Sequence, residues 1–130
     1  MAFAITRTVV TPVVAQTINS AATYTSAEVD IGDDTIVEQI WIYLDIASWA
    51  SAPTGTMIVS IVPIHATGGT AYGDAGVSHP FTVSASAAYA FSIPLSTLPR
   101  YFKVTVENNT DVNTGASAVD CRIEYQAVTG

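Results

Sequence analysis

His65 and His79 bracket a glycine-rich stretch, and a histidine beside a serine is the simplest route to a nucleophile. Neither histidine lies in a nucleophile motif, so both read as loop residues rather than bases. Asp30, Asp33 and Asp34 gather around Gly32, and oxygen-rich loops can hold calcium. Their spacing fits no EF-hand, and Asp-Gly turns form without metal, so the cluster reads as a turn to which Asp74 adds little. Gly68, Gly69, Gly73 and Gly76 suggest a phosphate cradle, but the lysine such a loop needs is absent and no helical pattern follows. They read instead as a long extended loop, functional or ordered by a partner. No catalytic, cofactor-binding or metal-ligating residue is assigned, and no enzyme activity is expected. Asn108-Asn109-Thr110 matches the glycosylation sequon, but without secretion it reads as turn chemistry. Cys121 is the single cysteine. It alternates with Val119 and Ile123, so it is expected inside as a small hydrophobe with no intrachain disulfide.

Trp41 and Tyr43 carry more information. They alternate with Ile40, Ile42, Leu44 and Ile46, so if the Ile/Leu face is the core, both rings point away from it. Three uses remain open: a platform that stacks on sugar rings, a subunit interface where Trp and Tyr are enriched, or burial under a loop of the same chain. Trp49, beside a turn, and Tyr72, in the glycine-rich loop, join them as candidate interface residues.

The elements that would position these residues are strands. Ile5 to Val14 is rich in Thr and Val, and Pro12 removes an amide donor, which places it at an edge or a bulge. Ala21 to Ile31 alternates weakly, with Ala27, Val29 and Ile31 on one face. Val37 to Ile46 is the strongest strand. Thr56 to Ile64 is apolar on both faces, as in a strand covered on both sides. A long loop, His65 to Pro80, precedes a short strand at Phe81 to Val83. Tyr89, Phe91, Ile93 and Leu95 then alternate with small residues. Leu98 to Val128 ends the pattern with two alternating runs around a polar link, expected as an antiparallel hairpin. This gives seven or eight strands, no internal repeat, and one all-β domain over residues 1–130: an antiparallel β-sandwich, jelly-roll-like because the Cys-Trp-Cys pattern of antibody domains is missing.

Composition limits the partners. Hydrophobic residues make up 49% of the 130 and charged residues 12%, half the usual share of about 25%. A surface poor in charge and rich in Thr, Ser and Ala suits packing against protein. The net charge of -7, with only four scattered basic residues, argues against direct nucleic-acid binding and against anionic membranes. Met1 to Arg7 lacks a basic region followed by an apolar one, so no signal peptide is read and folding in a cytoplasm is expected.

Leu98-Pro99-Arg100-Tyr101-Phe102-Lys103-Val104 through Glu107-Asn108-Asn109-Thr110, with the later Glu124-Tyr125-Gln126, resembles small structural proteins of tailed bacteriophages, capsid decoration (cement) proteins above all. Met-Ala-Phe-Ala-Ile-Thr-Arg and the Thr/Val-rich run after it share that look. The resemblance implies a non-enzymatic virion protein, made in the host cytoplasm, that oligomerises (a trimer favoured) on the major capsid protein or another virion component and stabilises the head. It brings no catalytic residue. The alternatives are a carbohydrate-binding or receptor-binding β-sandwich module, or a tail or head-completion component.

Overall fold

The computed structural model describes residues 4–31, 36–64, 77–96 and 98–129. Nine strands form among them: β1 (Ala4–Gln16), β2 (Thr23–Thr25), β3 (Val29–Asp30), β4 (Ile36–Ile46), β5 (Gly55–Pro63), β6 (Val77–Val83), β7 (Tyr89–Leu95), β8 (Tyr101–Thr110) and β9 (Val119–Thr129). No helix occurs among the described residues. One sheet runs β1-β9-β4-β7; the other runs β2-β8-β5-β6, with β3 also on β8. All pairs are antiparallel. β2 and β3 share one row beside β8, so the sequence expectation of seven or eight strands matches the rows that are filled. β1 pairs with β9, β2 and β3 with β8, β4 with β7 and β5 with β6, which is jelly-roll connectivity.

The core lies between the sheets. Ile40, Ile42, Leu44 and Ile46 of β4 are each 1% exposed or less, and they face Met57, Val59 and Ile61 of β5 and Phe102, Val104 and Val106 of β8. The period-2 pattern that marks β4 in the sequence is therefore the pattern of burial. Gln39, at φ 48°, is the extra residue of a bulge where the register on β9 steps from Glu38↔Gln126 to Trp41↔Glu124. That step sets the parity that turns Trp41 outward.

β1 is an edge strand, and its register on β9 shifts between Val10 and Val13, so Pro12 sits at both an edge and a bulge. The run Ala21 to Ile31 does not form one strand. It breaks at Ser26, whose buried hydroxyl accepts a hydrogen bond from Val104 N–H at 2.9 Å while Ser26 N–H donates to Val104 O at 2.9 Å. A side chain keeps the ladder satisfied across the gap, and Ala27 is exposed while Val29 and Ile31, expected on its face, are half-buried. β6 begins at Val77, well before the expected Phe81.

The closing pair is not a hairpin. β8 belongs to one sheet and β9 to the other, and their apolar faces meet across the core. The connecting residues 111–118 dock on two other links. Thr114 N–H donates to Ile18 O at 3.1 Å, Gly115 N–H to Ser48 O at 2.8 Å, and Ala50 N–H to Asn113 O at 3.1 Å. Alternating apolar residues are required equally by a hairpin and by an arch between sheets, so the sequence pattern does not separate them.

Candidate docking face

The outer face of the β1-β9-β4-β7 sheet carries the features with chemical character. β4 contributes Trp41, Tyr43 and Asp45, set opposite Glu124, Arg122 and Asp120 of β9. β7 contributes Pro94, Ser92 and Ala90 on the other flank. β1 adds Ile5, Arg7 and Val9, in register with Val128, Gln126 and Glu124. Two arginines and two carboxylates form a chain across these strands. Arg7 Nη2 lies 2.6 Å from Glu124 Oε2, Arg122 Nε 3.8 Å from Glu124 Oε1, and Arg122 Nη1 2.9 Å from Asp45 Oδ2. The Glu124 side chain is only 17% exposed, sheltered at the middle of the chain. Exposed pairs of this kind contribute about 0–1 kcal/mol each, so they hold geometry more than they stabilise the fold.

Arg122 also lies 4.4 Å over the Tyr43 ring, and Trp41 stacks on Tyr43 at 6.4 Å with an interplanar angle of 23°. One face of Tyr43 is thereby occupied and Trp41 keeps the open ring. The large hydrophobic residues that remain exposed among the described residues are Ile5 (69%), Val14 (56%), Val9 (48%) and Trp41 (36%). All four lie on this one face. Val14 follows the fully buried Val13, so it points outward.

The other candidates separate. Trp49 belongs to the core, 7% exposed and edge-on to Tyr89 at 6.3 Å, with Nε1 lacking a partner; its place is inside the sandwich, not on the outer face with Trp41. Its bridge to Thr114 pulls the segment after β4 inward. Tyr72, His65, Gly32, Asp33, Asp34, Asp74 and the loop glycines lie outside the described residues. His79 stands in β6 opposite Val59, half-buried toward the interior rather than in a loop. Asp30 meets Arg100 at 3.3 Å.

At the β6/β7 side the sandwich is closed by aromatic rings: Phe81 on Phe91 at 4.2 Å and Tyr89 on Phe91 at 5.5 Å. The Tyr89 oxygen accepts hydrogen bonds from Ser84 and Ala85 N–H, which lowers its pKa. On the opposite side a groove of about 450 Å³ separates Val9–Pro12 from the Ala27–Asp30 link. Asn108 is wholly buried, so the sequon offers no accessible amide.

Sequence reasoning found Trp41 and Tyr43 but missed Ile5, Val9, Val14 and the two arginines. In β1 both parities are rich in Val, Ile and Thr, so no alternation marks the outward side.

No protein-family profile and no curated protein matches this chain. Similar solved structures are distant. Latent PorU from Porphyromonas gingivalis is 16% identical at a TM-score of 0.49, over 99% of this chain but 13% of that one. A protein of the disulfide-linked Bacillus endospore appendage pili is 15% identical at 0.33, over 98% of this chain and 88% of the other. The exo-β-1,3-galactanase of Phanerochaete chrysosporium with galactose is 15% identical at 0.39, over 95% of this chain and 27% of the enzyme. This chain thus spans a small part of the length of PorU and of the galactanase.

Proposed function

We propose that this chain is a non-enzymatic structural protein of a virion, a capsid decoration subunit that docks on the major capsid protein or another shell component through the outer face of the β1-β9-β4-β7 sheet. The observation that carries this reading is the gathering of Ile5, Val9, Val14 and Trp41 on that single face. Low charge density and the resemblance of Leu98 to Thr110 to decoration proteins support it. The mechanism is interfacial. Each apolar Å² buried on docking contributes about 25 cal/mol before association costs. A subunit that binds only the assembled shell shifts the equilibrium toward that shell. The Arg7–Glu124–Arg122–Asp45 chain supplies orientation, since its partners are already fixed before contact.

A sugar-binding module is the second reading, favoured by the open Trp41 ring beside Asp45, Arg122 and Glu124. It is weakened by Arg122, which covers the Tyr43 face a pyranose would use. Antibody against the recombinant chain, applied to virions of the encoding genome and viewed by electron microscopy, tests the first reading. Regular label on the head is the expected result. Unlabelled virions, together with retention of the protein on a glycan array that Trp41→Ala abolishes, would replace it with the second.

A further inference from the structure

We propose that Ala4–Val10 of β1 pairs edge to edge with the same segment of a second copy, joining two four-stranded sheets into one continuous sheet about a two-fold axis. β1 pairs only with β9 among the described residues, so its other side presents unpaired backbone donors and acceptors. Proteins blunt such edges with prolines, bulges, lysines or very short strands. The other edges of this sandwich have those devices: β2 and β3 are three and two residues long, β6 carries Pro80 and β7 carries Pro94. β1 acquires Pro12 and its register shifts only after Val10. Ala4 to Val10 is in unbroken register with β9, free of proline and lysine, and carries one charge, Arg7.

A second copy fits this edge because the segment is self-complementary. Its midpoint is Arg7, and antiparallel pairing about that residue sets Ile5 against Val9 of the mate twice, and Thr6 against Thr8 twice. Ile5 and Val9 are the exposed apolar side chains of the segment, and the pairing covers the flank of each that faces the edge while leaving both on the outer face. The two Arg7 groups would oppose each other, but each is drawn back toward its own β9 by Glu124 at 2.6 Å, which neutralises it. The inference stands on the edge and does not depend on the virion reading.

Light scattering of the purified chain at micromolar concentration should give the mass of two copies. Ile5→Lys with Val9→Lys, both at exposed positions, should give one copy that keeps the parent's far-UV circular dichroism and still unfolds cooperatively, with a melting temperature that no longer depends on concentration. Ile5→Cys with Val9→Cys, oxidised with glutathione disulfide, should yield a covalent dimer that peptide mapping assigns to position 5 of one chain and position 9 of the other. A wild-type monomer or trimer overturns the inference, as does a dimer that survives the double lysine substitution. If that variant fails to fold, the cross-link decides alone: no 5-to-9 linkage refutes the pairing.

Discussion

Replacing Asn108 tests whether the end of the sandwich is held by one side chain. Asn108 is 0% exposed, and all four hydrogen-bonding sites of its amide are used. Nδ2 donates to Ile18 O and to Val112 O, each at 2.9 Å; Oδ1 accepts from Thr110 N–H at 3.1 Å and Thr110 Oγ1 at 2.6 Å. The amide thus ties the β1–β2 link and the residues after β8 to the core. In Asn108→Ala, Ile18 O keeps Thr114 N–H, and the Thr110 hydroxyl, released from Oδ1, can give its one proton to Val112 O. Thr110 N–H loses the acceptor it has here, and a void replaces the amide. Four bonds at about 1 kcal/mol each, partly recovered by the remaining donors, plus the stranded amide and the void, give a loss of about 3–4 kcal/mol. Asn108→Asp keeps the size and both acceptor contacts but turns an oxygen toward the two carbonyls. Burial and those carbonyls raise the folded pKa of the new acid above its unfolded value of about 3.9. Its penalty is therefore smallest below that value and grows as pH rises through the folded pKa. Urea unfolding followed by tryptophan fluorescence at acidic and neutral pH measures both effects. An alanine variant within about 1 kcal/mol of the parent, or an aspartate variant equally stable relative to the parent at the two pH values, would refute this account.

Trp41→Ala should change folding stability by less than about 1 kcal/mol, because the ring lies outside the core, while weakening the proposed docking on a virion shell by about 2 kcal/mol or more; calorimetry and virion binding separate the two. Gly55→Ala should cost about 1–3 kcal/mol in thermal unfolding, since Gly55 has φ 135° and an added Cβ would lie 2.5 Å from Asn109 O. The Cys121 thiol, 1% exposed, is pushed up to about 12 by burial, with Asp45 raising it further and Arg122 opposing. It should resist a thiol reagent at mildly alkaline pH until the protein unfolds. Its contribution to stability is complete below its ordinary value of 9.0 and is lost as pH climbs from there toward about 12, which alkaline melting curves would register.

The sandwich and the core of β4 were legible because burial there follows strict alternation, and Ile40, Ile42, Leu44 and Ile46 state one face without ambiguity. Trp41 and Tyr43 followed by parity. The arch between β8 and β9 was not legible, because alternation records which side of a strand is covered and not what covers it. Trp49, left open between an interface and burial, is buried, and its place was not legible for a related reason. A tryptophan outside any periodic run is placed by long-range bonding, here its bridge to Thr114, which leaves no local mark. The Ser26 break was hidden because a hydroxyl serves both a turn and a ladder.

The pairing of β1 with β9 also constrains how the molecule is born. β1 leaves the ribosome more than a hundred residues before β9 and must wait for it before their ladder can close. At usual synthesis rates of about 5–20 residues per second that wait lasts about 5–20 seconds. β4 likewise has both its neighbours, β7 and β9, downstream, so the β1-β9-β4-β7 sheet is not completed before β9 has been made. Such non-local closure makes folding slow. During the wait Ala4 to Val10 is bare on both sides, a β-branched segment with one charge, and nascent copies on one messenger present it to each other. Slow expression at low temperature, which lengthens the interval but thins the crowd of nascent chains, should therefore favour the native sandwich over aggregation.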